Sequence, residues 1–264
     1  MRTARSILFV PADRPERFEK AAAAGADGVI LDLEDAVPFE RKDPARDAVI
    51  AWPGSRRCIL RINPFGTQWF SRDLEMAARA DIRTIMVPKA DPESLAAVHA
   101  VLGGEVGLIA LVETVDGYMR LREVCRQAGV VRLAFGNLDF GMDSGLDDGA
   151  LDGVRVQIAL ESRFAGLVPP IDGVCAALKD EDAIGREARL AKGRGYGGKL
   201  CIHPAQVAPV NAAFLPSDAD LAWARRILDA VAQGGAGAIA VDGKMVDRPV
   251  VERARAITAA GGQK

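Results

Sequence analysis

The chain has 264 residues, 49% of them hydrophobic and 27% charged, enough for one large core or for two smaller ones. A net charge of −2 leaves no electrostatic footprint for nucleic acid or for an anionic membrane. No stretch approaches the ~20 apolar residues that span a bilayer, and the short apolar run at 7–11 fits no signal peptide.

Short apolar runs bounded by Gly, Pro or charge occur at 6–11, 28–34, 57–63, 84–89, 107–113, 131–139, 169–174 and 198–204. Most are continuous in Val, Ile and Leu rather than alternating, which suits strands covered on both faces. Helix-like segments lie between them at 15–24, 44–51, 72–80, 92–102, 117–128, 151–166 and 182–193. Pro15, Pro44 and Pro92 suit a first helical turn, where a missing N–H costs little. One strand–helix unit recurs roughly every 27 residues, which implies right-handed βαβ crossovers and a parallel sheet. Eight such units are the count of a closed (β/α)8 barrel, the TIM-barrel fold. An open doubly wound sheet has the same periodicity.

The expected barrel domain runs over 1–215, and 216–264 is extra. Helices are expected at 205–214 and 218–233, the second capped by Ser217. Residues 238–241 and 244–247 flank Asp242-Gly243, the signature of a hairpin with a type I′ turn. A last helix is expected at 249–259. The hairpin and this helix are too small to hold a core of their own, so they are expected to dock on the barrel or on a neighbouring subunit.

The cysteines, Cys58, Cys125, Cys175 and Cys201, are far apart with no CxxC pair, as in a cytoplasmic enzyme with reduced thiols. Only two histidines, His99 and His203, are present, so a histidine-rich zinc site is nearly excluded.

In a barrel of this kind chemistry gathers at the C-terminal strand ends. Those ends read Pro11-Ala-Asp-Arg14, Asp32-Leu-Glu-Asp35, Arg61-Ile-Asn63, Lys89, Glu113, Asp139, Asp172 and His203-Pro204. Glu113 and Asp139 close consecutive apolar runs, and two like charges so placed raise a pKa unless a cation neutralises them. Oxygen-only ligation with water and substrate completing the shell is the habit of magnesium. The other reading is a helix cap, or a pair with Arg61 or Lys89. Arg61 needs an anionic partner or a developing negative charge, and a structural pair with Glu34 or Asp35 satisfies the same need. Lys89 lacks a second basic group to make it a Schiff-base nucleophile, and anion binding or pairing suits it better. Residues 193–199 have the spacing G-x-x-x-x-G-K, but Leu200 stands where Ser or Thr is required, and the loop precedes a strand. His203 suits a strand-end histidine donating to a carbonyl better than a general base.

As an ordered set these motifs are familiar: Arg5-Ser-Ile-Leu-Phe-Val-Pro, Val29-Ile-Leu-Asp-Leu-Glu-Asp-Ala-Val, Leu60-Arg-Ile-Asn-Pro, Val87-Pro-Lys, Leu111-Val-Glu-Thr and Ala134-Phe-Gly-Asn-Leu-Asp. Gly197-Gly-Lys-Leu-Cys-Ile-His-Pro and Asp242-Gly-Lys-Met-Val-Asp-Arg-Pro complete it. The chain resembles the citrate lyase β-subunit-like family, relatives of malyl-CoA and citramalyl-CoA lyases in the HpcH/HpaI aldolase superfamily. That resemblance implies a barrel with a C-terminal lid, a homotrimer or hexamer exchanging lids, and Mg2+-dependent cleavage or formation of a carbon–carbon bond in a 3-hydroxyacyl thioester. It further implies Glu113 and Asp139 as metal ligands, Arg61 on the thioester carbonyl, and Asp247 as an acid/base brought by a neighbour's lid. Phe9, Arg14, Lys20, Ile202, His203 and Pro204 match the region that contacts coenzyme A. Glu34, Asp35, Gly136, Asn137 and Leu138 are expected to form the substrate pocket.

The sequence departs from the superfamily twice. The histidine base that class II pyruvate aldolases carry near the second strand is missing, which points to the thioester branch. Asn137 and Leu138 replace the Ala/Ser-Glu pair that precedes the ligand in better-known members. A citrate lyase β subunit acting on citryl-acyl carrier protein, an inactive scaffold subunit and a sugar-phosphate aldolase are the competing readings.

Overall fold

The computed structural model describes residues 3–234 and 239–261. Eight parallel strands close into a barrel in chain order. They are β1 (Ser6–Pro11), β2 (Gly28–Asp32), β3 (Ile59–Arg61), β4 (Thr84–Val87), β5 (Gly107–Val112), β6 (Val130–Phe135), β7 (Val168–Asp172) and β8 (Gly198–Cys201). Closure is made by β8 pairing with β1, Leu200 opposite Ile7 and Cys201 opposite Leu8. This settles the choice between a closed and an open sheet.

The interior is filled by one or two side chains per strand: Ile7, Ile30, Ile59, Met86, Ile109 with Leu111, Ala134, Ile171 and Leu200. Side chains alternate across a strand, so Leu31, Leu60 and Lys199 face the surrounding helices. Both faces are buried, which explains the unbroken apolar runs.

Most strands stop earlier than their apolar runs. The difference matters most at β6. The run at 131–139 was expected to be one strand ending in Asp139, but β6 stops at Phe135 and a helix occupies Asn137–Ser144. Gly136 makes the break, and Asp139 lies in the first turn of that helix. Similarly, the helix expected at 117–128 is two short ones, Val115–Met119 and Leu121–Val124, parted at Arg120. At 15–24 a 3-10 turn, Pro15–Arg17, leads into Phe18–Ala22. Pro92 does open its helix, with Asp91 capping from a position where its carboxylate accepts the Ser94 N–H at 2.7 Å. All four cysteines are buried and free.

The chain divides into two compact units, Met1–Ala212 and Ala213–Lys264. Within the second, helices Asp218–Gly234 and Arg248–Gly261 enclose Ala224, Ile227, Val246 and Ala254. The tail therefore holds a small core after all: the longer helix adds the apolar face that the hairpin and last helix lack by themselves. Ser217 caps that helix as expected, accepting the Asp220 N–H at 3.0 Å. Strands Ile239–Val241 and Lys244–Val246 pair antiparallel around Asp242 and Gly243, whose φ values of 53° and 72° suit a primed turn. Ala238, expected to open this hairpin, lies outside the described residues. Among the described residues no helix is long and apolar enough to cross a membrane.

Candidate active site

The alternation that fills the barrel also builds the site. Moving two residues along from the interior residues Ile7, Ile30, Ile59, Leu111, Ala134 and Leu200 gives Phe9, Asp32, Arg61, Glu113, Gly136 and Ile202. All six line one cavity of about 330 Å³, joined by Asp139 and Leu138 from the helix after β6. Sequence reasoning placed Arg61, Glu113 and Asp139 together at the strand ends, and the structure brings them into this single cavity.

Arg61 is buried, and its Nε and Nη2 donate to the two oxygens of Asp32 at 2.7 and 2.6 Å. Nη1 stands 2.8 Å from Glu34 Oε2, and Asp35 is farther, at 3.8 Å. The guanidinium also lies over the Phe9 ring, 4.9 Å from its centroid. Burial would lower the Arg61 pKa, but the Asp32 hydrogen bonds and the charges of Asp32, Glu34 and Glu113 outweigh it and hold the cation firmly. Sequence reasoning listed Asp32 among the strand ends but offered Glu34 or Asp35 as the partner of Arg61; that Asp32 shares the inward phase of Ile30 shows only in the closed barrel.

Glu34 is buried behind the cavity. Its Oε1 accepts from Lys89 Nζ at 3.1 Å, while Oε2 accepts no hydrogen bond, because the Arg61 contact is close but not aligned. Burial, and then the neighbouring Asp35 charge, raise its pKa against the pull of Arg61 and Lys89. Lys89 is in the left-handed region (φ 45°), a turn that lets its N–H donate to Glu113 Oε1 at 2.8 Å. Burial alone would lower the Lys89 pKa, but Glu34, Glu113 and Asp35 raise it. The contact of Lys89 with Glu34 is a pairing, and the upward shift runs opposite to the lowered pKa that a Schiff-base lysine needs.

Glu113 is pushed up to about 8, first by burial and then by the Glu34 charge, with Asp139 adding to the rise. Its Oε2 lies against Gly136, where a Cβ would come within 2.7 Å of it. Among the described residues no three His, Cys, Asp or Glu side chains gather as a metal cluster. Four carboxylates line the cavity, Asp32, Asp35, Glu113 and Asp139. With Asp32 taken up by Arg61, Glu113 and Asp139 could hold a hard divalent ion whose remaining ligands are water and substrate oxygens.

A second layer fixes the loop after β2. The buried Lys42 ammonium donates to Leu33 O at 2.6 Å, Glu34 O at 2.8 Å and Asn63 Oδ1 at 2.7 Å. Asn63 in turn donates to Asp73, which holds Arg46.

The remaining expected residues are more scattered. Phe9 and Ile202 line the cavity, whereas Arg14, Lys20, His203 and Pro204 do not. Arg14 and Lys20 are exposed after β1, and Pro204 is exposed after the adjacent β8. His203 accepts the Ala205 N–H through Nδ1 at 3.1 Å, capping a 3-10 turn instead of donating to a carbonyl. Asp172 points outward, opposite in phase to Ile171, and pairs with Arg155 at 3.0 Å and Lys199 at 2.8 Å. Lys199, the lysine of the G-x-x-x-x-G-K spacing, is thereby spent in a buried ion pair. Within the second unit, Asp247 is exposed and caps its helix, accepting the Val250 N–H at 3.3 Å.

A closed parallel barrel with acids and a clamped arginine at its carboxyl-terminal mouth defines a barrel enzyme. The HpcH/HpaI aldolase/citrate lyase family model matches residues 5–204, and the model of a C–C bond lyase of the TIM-barrel fold matches residues 167–260. The chain is 41% identical over 266 residues to a citrate lyase subunit beta-like protein of Mycobacterium tuberculosis, covering 97% of this chain and 95% of that protein. It is 33% identical over 263 residues to a (3S)-malyl-CoA thioesterase of Cereibacter sphaeroides, covering 95% and 92%. The crystal structure of CitE from M. tuberculosis in complex with magnesium, acetoacetate and coenzyme A superposes with a TM-score of 0.91 at 37% identity, covering 100% of both chains. The protein belongs to the HpcH/HpaI aldolase/citrate lyase family.

Proposed function

We propose that the protein is a magnesium-dependent carbon–carbon lyase that splits a 3-hydroxyacyl-CoA thioester, such as citramalyl-CoA or malyl-CoA, into acetyl-CoA and a 2-oxo acid. The observation that carries this reading is the meeting of Glu113, Asp139 and Arg61 in one cavity. The metal fits the residues present: Glu113 is a buried carboxylate whose pKa is raised by burial and by the Glu34 charge, with the Asp139 charge adding to the rise. A cation between the two carboxylates would offset that repulsion. Glu113 and Asp139 would hold the ion, which when bound supplies Lewis-acid polarisation of the oxo-acid half.

Arg61 has five N–H donors, and three of its hydrogens face Asp32 and Glu34. The remaining N–H groups are available to the thioester oxygen, which becomes an enolate oxyanion as the carbon–carbon bond breaks. A fixed charge in a largely apolar cavity stabilises that oxyanion without reorganising. Water would take the proton of the substrate hydroxyl as the 2-oxo acid forms, Asp247 would deliver one proton to the enolate carbon, and water would return a proton to Asp247, so that none is gained or lost. That role for Asp247 carries with it a homotrimer or hexamer in which one subunit's tail, 216–264 by motif, completes a neighbour's site. Phe9 and Ile202 would receive the thioester end of coenzyme A, with Arg14, Lys20, His203 and Pro204 along the rest. Glu34, Asp35, Gly136, Asn137 and Leu138 would surround the acyl portion.

The malyl-CoA thioesterase relative favours a second reading, hydrolysis of the same thioesters. The deciding experiment is a thioester panel with magnesium, following both 2-oxo acid and free thiol. A lyase releases the 2-oxo acid with acetyl-CoA, and a thioesterase releases free coenzyme A. Citryl-acyl carrier protein beside citryl-CoA tests the citrate lyase β-subunit alternative. Unchanged oxo-acid release in Glu113→Ala and Asp139→Ala would sink the metal-dependent lyase.

A further inference from the structure

A second cavity, about 480 Å³, adjoins the active-site cavity, and the two share three lining residues: Asn137, Leu138 and Val174. These three form the wall between them. Its base is tied down. Asn137 Nδ2 donates to Val174 O at 3.3 Å, and Asn137 Oδ1 packs so closely on Gly173 that a Cβ there would lie 1.9 Å from it. Leu138 stands on this base without any polar tie, 55% exposed, in the first turn of the helix that carries Asp139.

The far cavity has two characters. Leu138, Met142, Leu146 and Leu190 offer apolar surface. Among its charged residues, Asp148, Asp152, Asp172 and Glu187 outnumber Arg155 and Arg194, and both arginines are already paired, Arg155 with Asp172 and Arg194 with Asp152. A neutral alkyl chain can lie along such a surface, whereas a second carboxylate meets an excess of negative charge and no unspent arginine.

We propose that Leu138 is the specificity gate of the active site: it closes the wall, limits the substituent on the hydroxyl-bearing carbon to hydrogen or a short alkyl group, and separates it from a cavity able to take longer neutral chains. The proposal rests on the lyase reading for its substrates but not for its geometry. An apolar pocket discriminates one methylene by about 10-fold or more in kcat/KM, and that is the scale on which the gate acts.

The test uses the full chain with magnesium and 3-hydroxyacyl-CoA thioesters bearing hydrogen, methyl, ethyl or propyl at the hydroxyl carbon. Wild type should fall about 10-fold or more from methyl to ethyl. Leu138→Ala should recover most of that ratio, and Leu138→Phe should steepen it. Ratios taken within one variant cancel any common disturbance of Asp139, and a half-exposed position tolerates all three residues. Calorimetric binding of pyruvate, 2-oxobutyrate, 2-oxopentanoate and 2-oxoglutarate runs in parallel. Leu138→Ala should strengthen 2-oxopentanoate relative to pyruvate and leave 2-oxoglutarate behind. If no thioester is cleaved but that shift appears, the gate stands and the lyase reading falls. Unchanged chain-length ratios in both variants overturn the gate, and an equal gain for 2-oxoglutarate overturns its charge selectivity.

Discussion

Replacing Asp32 by Asn keeps the shape of the Arg61 clamp while removing its charge. Oδ1 of Asp32 accepts from both Arg61 Nε, at 2.7 Å, and the Glu34 N–H, at 2.9 Å, and an Asn oxygen at that place keeps both. The other oxygen accepts from Arg61 Nη2 at 2.6 Å, and there the Asn amide would set one donor against another. Breaking one side of a buried ion pair costs about 3–5 kcal/mol. Glu34 remains 2.8 Å from Nη1, so the loss should fall near the lower end, about 3 kcal/mol. The guanidinium must also turn away from the amide, which displaces the N–H groups proposed for the oxyanion. Loss of one such donor lowers kcat by about 100- to 1000-fold. Denaturant titration gives the stability and steady-state thioester cleavage gives kcat, both on Asp32→Asn beside wild type. An unchanged denaturation midpoint would refute the buried clamp. A lowered midpoint with unchanged kcat would leave Asp32 a structural partner only.

Magnesium should compete with a proton at Glu113. With the carboxyl near 8 in the metal-free site, binding below that pH releases close to one proton, and affinity should climb with pH and level off above about 8. Titration calorimetry in buffers of differing ionisation enthalpy counts the proton, and a pH-independent affinity would contradict the site. The same group makes metal-free protein lose stability as pH rises from its ordinary 4.5 toward 8, because the unfolded chain ionises there and the folded one resists; magnesium should flatten that fall in thermal melts. Gly136→Ala should press a methyl to within 2.6 Å of Glu113 Cβ and cut magnesium affinity at least tenfold with a folded barrel retained, as circular dichroism would check. Lys42→Met leaves Leu33 O, Glu34 O and Asn63 Oδ1 without their donor, costing about 3 kcal/mol in denaturant unfolding. Borohydride with a 2-oxo acid should leave Lys89 unlabelled, as mass spectrometry of the peptide would report.

Much of this architecture can be read from the chain. Eight apolar runs with helical segments between them specify parallel strands covered on both faces, because only side chains buried on both sides dispense with alternation. Glu113 could be placed because it ends its run. Asp139 was misplaced by the same rule: nothing local distinguishes a strand that continues through Gly136 from one that stops there, and the helix at Asn137–Ser144 carries the carboxylate to the cavity from another direction. Asp172 also ends its strand, but its phase turns it outward, as it does Lys199 near the start of β8, and the run alone does not reveal phase. Phase becomes visible only once Ile30, Ile59 and Leu111 are known to point inward.

What the sequence determined by itself, then, is local: the count of strands, their polar ends, the Asp242-Gly243 turn and the Ser217 cap, each set by backbone preferences and the burial of neighbouring residues. The tertiary structure decided everything that depends on closing the sheet. Closure makes one phase of every strand an interior, and at the top of that interior it sets Asp32 against Arg61, Glu113 against Gly136, and Leu138 on the wall between two cavities. These residues are distant in sequence and meet because barrel geometry leaves their side chains a single shared space.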